Sequence, residues 1–168
     1  MRTIRSSEVT AAVRRLCIEA AYELPEDVVG AVKRAIETET SPRAKALLEQ
    51  LLENARIASQ KRIPLCQDTG LTVVFVEQGQ NLRIEPLADH PHRTLADAIQ
   101  AGVAEGYAKG LLRKSIVAEP LNRRINTKTN TPAVIHHTIV PGDGLEIAVM
   151  LKGGDLQPVA GHNRMMDH

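Results

Sequence analysis

The stretch Pro64-Leu65-Cys66-Gln67-Asp68-Thr69-Gly70, running straight into Leu71-Thr72-Val73-Val74-Phe75-Val76, is where this chain changes its period. Upstream of it, apolar residues recur at helical spacing. Within 71–76 they are contiguous and largely β-branched, which predicts a short strand buried on both faces. The loop between the two regimes puts a thiol, an amide, a carboxylate and a hydroxyl on successive residues, with Gly70 free to turn beside them. Loops held between rigid elements are where chemistry is usually displayed. The same residues also suit a packed Cys followed by an Asp-Thr-Gly turn.

On the N-terminal side, Val9, Ala12, Val13, Leu16, Cys17 and Ala20 fall on one helical stripe behind the possible caps Ser6 and Ser7. Cys17 lies within that stripe, so it reads as a buried structural thiol. Pro25-Glu26-Asp27 opens a second helix, with acids facing the helix dipole. Ser41-Pro42 opens a third, expected to turn Leu47, Leu48, Leu51, Leu52 and Ala55 inward until about Lys61.

On the C-terminal side, Leu82 and Ile84 form a weaker strand, and residues 86–93, with His90 and His92, read as a surface loop. Thr94 caps a helix whose Leu95, Ala98, Ile99 and Val103 share a face. Val134–Ile139 and Leu145–Leu151 are strands around Pro141-Gly142-Asp143-Gly144, a turn signal that suggests a hairpin. In the second of these, Leu145, Ile147, Val149 and Leu151 alternate to give one apolar face. The fold expected is α/β (α+β): N-terminal helices, then a small mixed sheet with a further helix.

A chain of 168 residues suffices for one domain with its own core. Its formal charge of +1, with acids and bases interspersed, gives no basic stripe for nucleic acid. No apolar run approaches the roughly 20 residues that span a bilayer, and the N-terminus has no signal-peptide core, so no membrane partner is expected. Two cysteines make no disulfide framework, which fits a reducing cytoplasm. With one Phe, two Tyr and no Trp, the core must be built from Leu, Ile, Val and Ala.

The order Pro64-Leu65-Cys66-Gln67-Asp68-Thr69-Gly70 resembles the first cluster-binding segment of the class I (iron–sulfur) fumarases. Gly106-Tyr107, Leu112-Arg113-Lys114-Ser115, Asn126-Thr127, the run Asn130 to His136, Ile139 to Asp143 and Lys152-Gly153-Gly154 follow in that family's order. Upstream, Leu24 to Val28 and Lys61-Arg62-Ile63 fit as well. The resemblance spans residues 6 to 154. It is closest to the alpha subunit of a two-subunit fumarate hydratase, with L-tartrate dehydratase as near relative.

The resemblance implies reversible hydration of fumarate to L-malate, a [4Fe-4S] cluster held by three cysteines, and a beta subunit as partner. Cys66 matches the first cluster ligand, Gln67 a substrate-contacting amide, and Asp68 an acid–base carboxylate that also touches substrate. A cluster needs three or four protein ligands, which Cys66 and Cys17 cannot supply alone. Asp68 also suits an Asx-turn. Arg113 is the candidate clamp for a dicarboxylic acid, since guanidinium binds carboxylate bidentately; a solvated helix-end residue is its plainer reading. Gly153 and Gly154 would let backbone amides approach an anion, although the spacing is not that of a P-loop. His136 and His137, adjacent on a strand, point to opposite faces and cannot share a metal. His90, His92, His162 and His168 have no metal-site spacing.

After Gly154 the family's pattern stops. Residues 1–154 then read as the N-terminal part of a hydro-lyase alpha subunit and residues 155–168 as a non-family tail with neither helical nor strand periodicity. A break inside a motif suggests a frameshift or early stop. The alternatives are an L-tartrate dehydratase alpha subunit, or a non-catalytic remnant that only binds a partner subunit.

Overall fold

A computed structural model describes residues 2–86, 94–153 and 162–165. α1 (Ser6–Tyr22) buries the stripe Val9, Val13, Leu16, Cys17 and Ala20 as its spacing requires. Its cap is neither serine. Arg5 occupies that position, and the Glu8 carboxylate reaches back to accept the Arg5 N–H at 2.9 Å. That bond holds the Glu8 carboxyl below the usual carboxylate range.

α2 (Glu26–Thr38) starts behind Pro25, and α3 (Pro42–Lys61) starts at Ser41, whose Oγ accepts from the Ala44 N–H. These two helices pack mainly on each other, and the leucine stripe of α3 is not wholly inward. Leu47 and Leu51 are 54% and 55% exposed. The residues α3 does bury, Ala55 and Ala58, lie in its C-terminal half, so the leucines of its first turns extend past the packed part.

β2 (Leu71–Gly79) lies at the centre of a mixed sheet ordered β4-β2-β5-β6. β4 (Val134–Val140) runs parallel to it, with Phe75 opposite His136. β5 (Leu145–Lys152) runs antiparallel, with Val74 opposite Val149. The expected hairpin between β4 and β5 is therefore wrong: β2, the most apolar of the three, takes a neighbour on each side. The 141–144 connection crosses its end instead, where the Gly79 N–H donates to Gly144 O at 2.8 Å and the Asn81 N–H to Gly142 O at 2.9 Å.

A separate pair joins β1 (Thr3–Arg5) in parallel to β3 (Arg83–Glu85), giving the weak strand at Leu82–Ile84 a partner. β6 (His162–Met165) pairs antiparallel with β5, although the tail shows no strand alternation. Ladder bonds come from the backbone, and a free edge can accept a segment without side-chain patterning.

α1 and α4 (Leu95–Lys109) cover one face of the sheet, over Val74, Val76, Ile147, Val149 and Leu151. α4 opens on the expected Thr94, which forms a capping box with Asp97. On the other face Phe75 is 39% exposed and stacks on the His136 ring at 5.0 Å, so β2 is not buried on both sides. The α1–α4 seam is unusually close. A Cβ on Gly102 would stand 2.7 Å from Val13 Cβ, and one on Gly106 2.8 Å from Cys17 Cβ. Arg14 bridges the seam to Glu105 at 2.9 Å. Burial in it pushes the Cys17 thiol up to about 12.

Candidate active site

α3 ends at Arg62, in the left-handed region at φ 53°, and the chain turns back toward α1. The Leu65 N–H donates to Ala21 O at 2.8 Å and Asn54 Nδ2 to Leu65 O at 3.0 Å, so the loop is fixed at its base before it reaches Cys66. Cys66 and Gln67 are exposed, Asp68 is half-buried, and Thr69 and Gly70 are buried. The loop thus leaves its thiol and amide exposed, holds its carboxylate half-buried, and anchors itself by the residues that follow.

Inside the loop, Cys66 Sγ lies 3.6 Å from Gln67 Oε1 and accepts the Asp68 N–H at 3.5 Å. Asp68 Oδ1 accepts the Gly70 N–H at 3.1 Å, which is the Asx-turn its sequence allowed. One carboxylate oxygen therefore shapes the loop. Gly70 has φ +54°, and a Cβ there would lie 1.9 Å from Lys152 O and 2.6 Å from Gly153 Cα. Only glycine permits this backbone to pass so close to the end of β5. Gly153 is thereby brought beside the loop; Gly154 lies outside the described residues, as do His90, His92 and His168.

Arg113 is exposed, and its backbone adjoins the same loop because Thr69 Oγ1 donates to Arg113 O at 2.7 Å. Tyr107, from α4, donates its hydroxyl to Thr69 O at 2.8 Å. Burial raises the pKa of that phenol, keeping it a neutral donor. Asn130 is fully buried: its Nδ2 donates to Gly70 O at 3.0 Å and its Oδ1 accepts from Ser115 N and Ile116 N. Sequence reasoning met Asn130 and Tyr107 only as members of motif runs. Their partners in the loop lie about 40 to 60 residues away, beyond any local pattern.

Cys66 is the exposed thiol and a chemically suitable soft ligand. Among the described residues, however, no three His, Cys, Asp or Glu side chains gather as a metal site. The described residues thus offer one exposed soft ligand and no three-ligand metal site. The crevice behind the loop, between Ala21, Cys66, Asp68 and Leu151, is about 10 Å³. That is at most one water, too small for an organic acid. A larger hollow of about 720 Å³ runs between α1 and β5. None of Cys66, Gln67, Asp68 or Arg113 lines it, and its Arg14, Arg15 and Arg62 are paired with Glu105, Glu19 and Glu23.

The fold and loop define an α/β scaffold with a thiol–amide–carboxylate site on a buttressed turn. The family model for fumarate hydratase (Fumerase) matches residues 10–157, and the chain belongs to that family. It is 36% identical over 123 residues to “Putative L(+)-tartrate dehydratase subunit alpha” of Methanocaldococcus jannaschii, covering 73% of this chain and 41% of that protein. It is 29% identical over 150 residues to the L(+)-tartrate dehydratase subunit alpha of Escherichia coli K12, covering 88% of this chain and 47% of that protein. The chain spans a little under half the length of these curated relatives. No described helix is long and apolar enough to cross a membrane.

Proposed function

We propose that this chain forms the N-terminal part of the alpha subunit of a hydro-lyase acting on a small dicarboxylic acid, in partnership with a beta subunit. The supporting observation is the Cys66–Asp68 turn, which sets an exposed thiol and amide beside a half-buried carboxylate while Thr69 ties it to the Arg113 segment. In this reading Arg113 grips one carboxylate, Gln67 and the backbone near Gly153 receive the other, and Asp68 exchanges the proton of the hydroxyl that is added or lost. Cys66 contributes one thiolate to an iron–sulfur cluster whose other ligands come from outside these 168 residues. Fumarate hydration follows the family's description, while the names of the relatives favour L-tartrate as substrate.

The test is steady-state kinetics of the assembled enzyme carrying this sequence, with fumarate, L-malate and L-tartrate, after iron content has been equalised. Asp68→Asn should keep the iron and lower kcat by about 10²–10⁴-fold. Arg113→Lys should chiefly raise KM, since a point charge replaces a bidentate fork. Near-normal kcat in Asp68→Asn would reduce Asp68 to the turn it forms with Gly70.

A further inference from the structure

We propose that Asn130 is a positioning residue that couples the Cys66–Gly70 loop to the Arg113–Ile116 segment. It thereby sets the spacing at which the two ends of a dicarboxylate are met. The inference rests on the reading of Gln67, Asp68 and Arg113 as the contacts for those two ends.

Asn130 is fully buried, with φ +60°. An amide side chain has two acceptor sites on its oxygen and two donors on its nitrogen. Both acceptor sites are used on one segment, by Ser115 N at 2.7 Å and Ile116 N at 3.1 Å. The nitrogen serves the other segment, donating to Gly70 O at 3.0 Å. The reversed amide would set N–H donors against two N–H donors, so the neighbours dictate its orientation. Neither an apolar residue nor a carboxylate can do both jobs: the first bonds neither segment, and the second places an oxygen against the Gly70 carbonyl.

The coupling matters because the Arg113–Ile116 segment lies outside any helix or strand. Residues 110–133 contain no helix, only short turns, the isolated Val117–Asn126 bridge and side-chain bonds such as Asn126 to Lys114 O. Bonds from the loop also run to α1, α3 and α4, and from Thr69 Oγ1 to Arg113 O. Asn130 and Thr69 both link the segments that carry the proposed substrate contacts. Asn130 alone binds amide hydrogens on one side and a carbonyl on the other.

Residue-resolved amide exchange on the intact 168-residue chain tests this. Asn130→Gly accepts the positive φ and deletes the link. It should speed exchange about tenfold or more at Ser115 and Ile116, and also at Gly70, the cost of a lost buried bond. Asn130→Asp retains the acceptor and should loosen Gly70 while sparing Ser115 and Ile116. A purely local role would move Ser115 and Ile116 in Asn130→Gly and leave Gly70 unchanged, which overturns the coupling. Thr69→Val, nearly isosteric, guards against misfolding of the Asn130 variants. Ser115 and Ile116 should stay protected in it, and their loss would hand the coupling to Thr69. Finally, in the assembled enzyme Asn130→Asp should raise KM for the accepted acid more than it lowers kcat, and an unchanged KM would overturn the spacing role. If the assembled enzyme turns over none of the three acids, the substrate reading fails, while the exchange data still decide the coupling.

Discussion

Cys17 sits in the seam between α1 and α4, where two glycines let the helices nearly touch; Cys66 sits on a turn after α3, exposed. The seam is held mainly by apolar contact at short range, with the Arg14–Glu105 ion pair and a Thr10 hydroxyl bond to Ala98 O across it. The turn has little apolar contact and is held by hydrogen bonds from Asn54, Tyr107, Thr69 and Asn130. Apolar packing is non-directional, and it fixes that two helices meet without fixing where a given atom points. Hydrogen bonds are directional and expensive to leave unmade when buried, so they suit a segment that must hold several polar groups in one arrangement. Two thiols in one small chain thus have different chemistry because different forces hold their surroundings.

The largest effect expected from this contrast is in thiol reactivity. In the native chain Cys66 should react with an aromatic disulfide reagent at least about a thousandfold faster than Cys17, which must await an opening of the core. Stopped-flow labelling with peptide mapping measures both rates, and comparable rates would mean the seam is not closed. Next in size is overpacking. Gly102→Val should cost about 2–3 kcal/mol in urea denaturation, because the new carbon meets Val13 and the backbone of Thr10. A variant as stable as wild type would show that the helices have room to part.

The smallest effect concerns Glu105. The Arg14 guanidinium holds its carboxyl below the usual range, so the pair stabilises the fold fully above pH 4.5 and loses that contribution as pH falls through the lowered value. Both partners are partly exposed, so Glu105→Gln should cost under about 1 kcal/mol near pH 7. Its deficit should shrink as pH falls below 4.5. Urea midpoints of variant and wild type across that range check it, and a deficit that stays constant would assign the loss to packing.

The seam was readable in the sequence because periodicity reports burial: Val9 to Ala20 and Leu145 to Leu151 are buried where their spacing put them. Leu47 and Leu51 show the limit of that signal, since an apolar stripe shows which face of a helix is sticky and not whether anything lies opposite. The hairpin expectation failed for a related reason. Pro141 to Gly144 does turn the chain, but a local turn signal carries no information about a third strand arriving between its arms. In the loop, Cys66, Gln67 and Asp68 were visible as chemistry. Their supports were not, because Asn130 and Tyr107 act through bonds to backbone atoms far away in sequence, and any buried polar residue looks alike until its partners are known.

The placement of β2 between β4 and β5 has a consequence for how the protein is made. During synthesis Leu71 to Gly79 leaves the ribosome about sixty residues before β4, its parallel neighbour, and longer before β5. At about 5–20 residues per second, that apolar ribbon waits several seconds with neither edge paired. Pairing over such separations is slow in any case. The strand at the centre of the finished sheet is therefore an apolar ribbon that a nascent chain must shelter through that wait, and a segment on which holding chaperones can act.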